Sequence, residues 1–203
     1  MTRILFIRHG RTVSNNARRY SGHNDVELDA VGLEQARKVA ARLKDQPLTA
    51  VYASDLQRAF LTAEEIAKEH SLKVIRLPEL RELNFGVWEG KTHQEIVEED
   101  NELVQKWFND PFTVLIPEGE TMADLQLRIV KCVKQIVKDH PDETVAVVSH
   151  AGPIWVMLSY ILAIPPQSSW KIKIENTSIT IIEFYENDSG YICTINDAYH
   201  MHN

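Results

Sequence analysis

The stretch Ile4-Leu5-Phe6-Ile7 running straight into Arg8-His9-Gly10-Arg11-Thr12 decides how the rest of the chain is read. The four apolar residues read as a buried strand, and a charged Arg-His pair stands where that strand should end in a turn. In open α/β sheets ligands bind beyond the carboxyl ends of the strands, so polar residues in that position are candidates for chemistry rather than packing. The pattern recurs: Val145-Ala146-Val147-Val148 runs into Ser149-His150-Ala151-Gly152, and Ala50-Val51-Tyr52-Ala53 runs into Ser54-Asp55-Leu56-Gln57-Arg58. Three strands thus deliver Arg8 with His9, His150 and Arg58 to what reads as one rim, and that set describes a site for a phosphoryl group.

Bulk properties permit this and add limits. With 203 residues, 44% hydrophobic and 25% charged, the chain has the makeup of an ordinary globular protein, large enough for one substantial core and short for two. A single domain over residues 1–203 is expected. The net charge is −7 and no run of Lys or Arg forms a stripe, so the electrostatic footprint of a nucleic-acid binder is missing. Any anionic ligand must be small and met locally. Cys132 and Cys193 lie far apart in apolar surroundings, which argues against a disulfide framework, for a reducing cytoplasm, and for both thiols in or near the core. The first residues lack a basic region followed by a small-residue cleavage site, so no secretory signal is read. The most apolar segment, Ile154 to Ile164, is about half the roughly 20 residues that span a bilayer and reads as a buried helix.

Strand-like and helix-like periods alternate along the chain, the pattern of an α/β fold: a three-layer α/β/α sandwich with a mostly parallel central sheet and helices on both faces. Leu33, Ala36, Ala40 and Leu43 fall on one face of a helix that Pro47 terminates, and Leu56, Ala59, Phe60, Ala63, Ile66 and Ala67 repeat at three and four on the next. Leu72 to Leu77 reads as a strand. From about 78 to 120 the pattern loosens around Gly86, Gly90, Pro111, Pro117 and Gly119, with Thr92 and Glu95 in capping-box spacing; a lid-like excursion over the sheet is expected there. A long helix after Thr121 carries Met122, Leu125, Ile129, Val133 and Ile136 on one face until Pro141. Ser178 to Phe184 and Tyr191 to Ile195 read as two edge strands joined by a turn at Asn187-Asp188-Ser189-Gly190.

A phosphoryl group in transfer needs its equatorial charge stabilised, an in-line nucleophile, and a proton for the leaving oxygen. The planar guanidinium forks of Arg8 and Arg58 match phosphate and stay charged at any physiological pH, and His150 could add a donor. Neutral imidazole is a competent nucleophile near pH 7, and a phosphorylated histidine is labile enough to be hydrolysed in a second step. Either histidine qualifies. His9 is preferred, because it lies between Arg8 and a small Gly10 that would let a ligand approach the backbone. The acid must come from elsewhere, and the excursion offers Glu79 and Glu82. A carboxyl group near apolar walls and beside a dianion has its pKa pushed upward, which suits a residue that donates and later accepts a proton. Glu82 is favoured.

Taken in order, Arg8-His9-Gly10-Arg11-Thr12 with Asn15, Ser54-Asp55-Leu56-Gln57-Arg58-Ala59, Leu80-Arg81-Glu82-Leu83-Asn84-Phe85-Gly86-Val87-Trp88-Glu89-Gly90, Pro117-Glu118-Gly119-Glu120-Thr121 and Ser149-His150-Ala151-Gly152 resemble the histidine phosphatase superfamily, also called phosphoglycerate mutase-like. The match covers nearly the whole chain. The resemblance implies that His9 is the phosphorylated nucleophile, that Arg8, Asn15, Arg58 and His150, with Ala151, form the phosphate pocket, and that Glu82 is the proton donor. Ser21 and Gly22 match a loop that in relatives approaches the substrate. It also implies a phosphoglycerate mutase-like fold and a cytoplasmic enzyme that acts on a small-molecule phosphomonoester without metal or cofactor. Within the superfamily the chain is similar to the phosphatase branch that includes α-ribazole phosphatases and broad-specificity phosphatases, so an α-ribazole phosphate or a sugar or phospho-acid ester is the expected kind of substrate. It departs from the cofactor-dependent mutases, which carry Arg-His-Tyr directly after the catalytic glutamate, where this chain has Leu83-Asn84-Phe85, and which have a basic insertion.

Plainer readings stand beside several of these residues. Arg58 could pair with Glu64 or Glu65 on its own helix, Glu82 could be one surface carboxylate among several, and Asn15 could cap a turn. His200 and His202 are expected in a solvated tail rather than at a metal, and His23, His70, His93 and His140 on the surface or in loops. Trp88, Trp107 and Phe108 either wall the pocket or pack the excursion. Two other functions stay open: a phosphoglycerate mutase-type phosphotransferase, and a non-catalytic module that binds a phospho-ligand. Neither nucleic acid nor membrane is expected as a partner, and the chain is expected as a monomer or as a homodimer joined through exposed strand edges near Ser178.

Overall fold

Along β1 (Thr2–Arg8), Ile4 and Phe6 face one side of the sheet, Leu5 and Ile7 the other, and all four are buried. A strand apolar on both faces needs a helix layer on each. The computed structural model supplies both, and describes every residue except 166, 167, 169, 170, 186–188 and 203. After β1 come α1 (Val13–Asn16), α2 (Ala30–Leu43), β2 (Leu48–Ala53), α3 (Gln57–Glu69), β3 (Val74–Arg76), α4 (His93–Asn109), α5 (Met122–Asp139), β4 (Thr144–Ser149), α6 (Ala151–Leu162), β5 (Ile179–Phe184) and β6 (Gly190–Asp197). Short 3₁₀ turns lie at Pro78–Leu80, Gly86–Trp88 and Tyr199–Met201. The strands form one mostly parallel sheet in the order β3-β2-β4-β1-β5-β6. Leu5, Ile7, Val51, Ala146 and Val148 pack with α2 and α3, whereas Ile4, Phe6, Val145 and Val147 pack with α5, α6 and the 78–120 excursion. The fold is the expected α/β class.

Local signals set most of these boundaries. Thr92 and Glu95 close a capping box at α4, and Thr121 caps α5, whose buried face holds Met122, Leu125, Ile129, Val133 and Ile136 as well as Cys132. α6 begins at Ala151, three residues before the apolar run, because His150 takes the extended backbone that precedes a first turn. β3 is trimmed to three residues.

The tail departs from the reading of two edge strands. β5 pairs antiparallel with β1 from Thr2↔Phe184 to Ile7↔Ile179, so it is interior and β6 alone is the edge. Ser178 is fully buried and offers no exposed strand edge. Alternating polarity is shared by an edge strand and by an antiparallel strand with one partly open face, so pattern alone could not tell them apart. Asn187 and Asp188 of the expected turn lie outside the described residues. Cys193 is exposed, unlike Cys132, because β6 turns alternate residues to solvent. The chain then folds back at Tyr199–Met201 against α2 and buries His200, which is not in a solvated tail. Among the described residues no helix is long and apolar enough to cross a membrane.

Where β1 leaves the sheet its backbone presses on α2. A Cβ on Gly10 would stand 2.5 Å from the Gly32 carbonyl oxygen, and one on Gly32 would stand 2.0 Å from that of Arg11. The small residue after His9 therefore serves chain packing, and not the approach of a ligand as its position in the sequence suggested. Gly32→Ala is expected to cost about 1–3 kcal/mol, the usual penalty for overpacking, read as a lower urea midpoint with an unchanged m-value.

Candidate active site

Strand register brings the two histidines together. β1 and β4 pair in parallel with Arg8 opposite Ser149, so the next residues, His9 and His150, emerge side by side at the carboxyl ends with ring centroids 5.0 Å apart. On the far side of β4, β2 ends with Ala53 opposite Val148, and the following turn places Arg58 in the first turn of α3. The three strands that carry the motif are neighbours in the sheet, and a cavity of about 280 Å³ opens above them, bordered by Arg8, His9, Asn15, Ser21, Arg58, Glu82 and Ala151. Gly22 and His150 lie behind Arg58, each held to it by a hydrogen bond. A larger cavity of about 770 Å³ between the chain start, α5 and Tyr185 contains no comparable cluster.

The hydrogen bonds assign the imidazole tautomers. His9 Nδ1 lies 2.7 Å from the Gly10 carbonyl oxygen, which only a proton on Nδ1 satisfies, so in the neutral ring Nε2 carries the lone pair. Burial, then the charges of Arg58 and Arg8, hold the His9 pKa well below the usual imidazole value, against the weaker pull of the Gly10 bond. His150 is the mirror case: Arg58 Nε donates to its Nδ1 at 3.2 Å, so the proton sits on Nε2, a buried donor with no protein partner. Burial first and Arg58 next keep His150 neutral as well.

The two arginines differ in their freedom. Arg58, at 1% exposure, gives Nη1 to the Asn24 carbonyl, Nη2 to those of Ser21 and Gly22, and Nε to His150. Of its five N–H groups one remains. It does not pair with Glu64 or Glu65. Arg8 gives Nη1 to the Ile174 carbonyl at 2.7 Å, and its buried Nε has no partner. Desolvation lowers the pKa of both, and a guanidinium stays charged regardless.

Asn15 fills both roles weighed for it: it closes a capping box with Thr12, and it lines the cavity. Glu82 arrives from the excursion. Its oxygens accept from Gly152 N at 3.1 and 3.2 Å, in the first turn of α6, and Oε1 accepts from Leu83 N at 2.9 Å. Those bonds and the two arginines favour the carboxylate, yet burial outweighs them and the Glu82 pKa is raised.

Several supporting residues carried no readable signal. Arg128 of α5 uses all five donors around the acid: on the carbonyls of Glu79, Arg81 and Glu82, and on both oxygens of Glu120. Glu89 accepts from the amides of Gly22, His23, Asn24 and Phe85. Thr62 Oγ1 accepts from Gly10 N and donates to the Arg58 carbonyl, and Asn176 Nδ2 donates to the His9 carbonyl and to Asn15 Oδ1. His23 lies in a loop, as expected, and its Nε2 is 3.2 Å from the Glu82 carbonyl. Trp88 is buried and packs the excursion, whereas Trp107 and Phe108 line the cavity, with His93 against the Phe108 ring.

The chain that carries this cluster of two imidazoles, two arginines and a buried carboxyl is similar to known proteins. A sequence profile described as histidine phosphatase superfamily (branch 1) matches residues 4–197, and the chain belongs to that family. It is 31% identical to phosphoserine phosphatase 1 of Hydrogenobacter thermophilus, with 92% of this chain and 88% of that protein covered. It is 33% identical to a Yersinia enterocolitica protein named probable phosphoglycerate mutase GpmB, over 95% of this chain and 91% of the other. Among solved structures, Bacillus stearothermophilus YhfR superposes with a TM-score of 0.93 at 31% identity, covering 99% of this chain and 100% of that one.

Because His9 and His150 are held neutral, their folded pKa values lie below the unfolded value near 6.5, so the stability they contribute is complete above that pH and is lost as pH falls through it. Glu82, raised by burial, acts with the opposite sign and offsets one of the two protons. A net loss of stability that steepens toward about 1.4 kcal/mol per pH unit is expected as pH falls from 6.5 to 5, measured by urea unfolding from pH 7 to 5. A flat profile over that range would refute the neutral pair.

Proposed function

We propose that the protein is a metal-independent phosphomonoesterase that transfers the phosphoryl group of a small phosphorylated metabolite to His9 and then to water. The observation that carries this reading is the neutral His9 ring, its Nδ1 tied to Gly10 and its Nε2 left as a nucleophile among two arginines and the Glu82 carboxyl. In the first step Nε2 attacks phosphorus, the P–N bond forms and the ester P–O bond breaks as protonated Glu82 gives its proton to the leaving oxygen. In the second, water attacks phosphorus, gives a proton to the Glu82 carboxylate, and the P–N bond breaks to release phosphate. Arg8, the remaining Arg58 donor, His150 Nε2–H and Asn15 would hold the phosphoryl oxygens through both steps. Charge is met by guanidinium groups and by a ring N–H, so the reading needs no metal. Leu83-Asn84-Phe85 after the acid, in place of the mutase element, supports hydrolysis over isomerisation, because a mutase must shield its phospho-enzyme from water. An α-ribazole phosphate or a sugar or phospho-acid ester is the substrate type, and a cytoplasmic setting, a single domain and a monomer or homodimer belong to the same reading.

His9→Ala is expected to abolish both phosphate release and acid-labile label on the protein while sparing the fold, and retained turnover would remove His9 from the nucleophile role. Glu82→Gln is expected to slow alkyl esters by roughly 10²-fold or more while sparing 4-nitrophenyl phosphate, whose leaving group needs no proton. With the His9 pKa lowered and that of Glu82 raised, activity should persist well below pH 6.5 and fall as pH rises through the Glu82 pKa. Glu82→Gln should flatten that alkaline limb. Gly152→Ala should reproduce the leaving-group pattern of Glu82→Gln, since its Cβ would stand 2.1 Å from Glu82 Oε1.

A further inference from the structure

Five residues that line the cavity have no role in the phosphoryl transfer proposed above, and all are aromatic: Tyr20, Phe85, Trp107, Phe108 and Trp155. The first four form a connected set of ring contacts, edge-to-face for Tyr20–Phe85 and Trp107–Phe108 and tilted for Phe85–Trp107, with centroids 4.9, 5.1 and 6.5 Å apart respectively. Trp107 is buried while Phe108 is 43% exposed, so the wall is anchored at one end and presents a ring to the mouth at the other. Both ride on the second half of α4, which restarts at Asp100: the backbone leaves the helix there, and Asp100 Oδ1 accepts from Leu103 N at 2.9 Å.

Charge on this wall is already matched. Among the described residues that line the cavity, the cation beyond Arg8 and Arg58 is Arg19, and its guanidinium is bound to both oxygens of Glu95 and to the Gly90 carbonyl. Among the same described residues Glu82 is the one carboxylate. A leaving group that brought its own carboxylate, ammonium or second phosphate would shed water and meet no free counter-charge. A flat apolar ring would meet aromatic edges at the separations such pairs prefer. The volume of about 280 Å³ sits at the small end of ligand sites, which suits one ring system beside the phosphoryl group.

We propose that this site selects phosphomonoesters whose leaving group is flat, aromatic and uncharged, and that Phe108 sets the preference. The inference rests on the phosphatase reading above. Among the substrate types considered, it runs against sugar and phospho-acid esters, and against phosphoserine and phosphoglycerate, the compounds in the names of two relatives.

The test is a kcat/KM comparison in pairs matched for leaving-group chemistry: 4-methylphenyl phosphate against phosphotyrosine, and benzyl phosphate against phosphoserine and 3-phosphoglycerate. The uncharged member of each pair is expected to lead by about tenfold or more. Phe108→Ala should raise KM for the two uncharged aromatic esters by roughly 3- to 10-fold, with Phe108→Leu in between, and change that for phosphoserine by less. Phe108 is 43% exposed and lies in the last turn of α4, so both variants should fold. Charged esters turned over as well as their uncharged partners, or a panel indifferent to Phe108→Ala, would overturn the inference and leave the phosphatase reading standing. If no ester is turned over, that reading fails instead. Calorimetry with benzylphosphonate and phosphonoacetate then decides the wall by itself: tighter benzylphosphonate binding upholds it, and tighter phosphonoacetate binding overturns it.

Discussion

A guanidinium buried to 1% exposure with no carboxylate among its hydrogen-bond partners is the constraint around which this rim is organised. Leaving such a charge unmet would cost several kcal/mol, so Arg58 has to be satisfied by neutral acceptors. Three are the carbonyls of Ser21, Gly22 and Asn24, which forces that loop to turn its oxygens inward and its amides away. Glu89 collects those amides, together with Phe85 N, and so ties the excursion to the rim. The fourth acceptor is His150 Nδ1, and that bond places the ring's proton on Nε2. Loop shape, excursion position and histidine tautomer follow from one buried cation.

The acid shows a contest of effects whose outcome matters for chemistry. Two arginines and the amides of Gly152 and Leu83 all favour ionised Glu82, and removal from water favours the neutral acid. Burial wins, as it does when a carboxyl loses most of its hydration and gains only partial compensation. The outcome is a carboxyl whose pKa is raised although four groups around it favour the charged form. Arg128 fixes the backbone on either side of it, so the balance is struck at one defined place.

Much of the sheet was legible because its signals are local. An apolar run bounded by a turn marks a strand wherever it occurs, and the capping boxes at Thr92 and Thr121 act within one helical turn. The same is true of the rim: polar residues that follow β1, β2 and β4 reach the carboxyl edge whatever else the chain does. β5 was misplaced because an interior antiparallel strand and an edge strand write the same alternation. Gly10 was misjudged because its neighbour is Gly32, twenty-two positions along the chain. Arg128, Asn176 and Thr62 gave no sign, since apart from the bonds of Arg128 to Glu120 and of Thr62 to Arg58 their partners lie at least 46 residues away, and a polar side chain on an amphipathic helix or in a loop looks the same whether it faces solvent or the backbone of the rim.

The sequence by itself determined the α/β class, the order of the elements and the rim residues His9, Arg8, Arg58 and His150, because a strand's direction and its exit are properties of consecutive residues. Tertiary structure alone decided which ring nitrogens carry protons, which way each pKa moves, and that aromatic rings from Tyr20, Phe85, Trp107 and Phe108 share one wall. Those are matters of distance and desolvation between segments remote in the chain, and no local pattern encodes them.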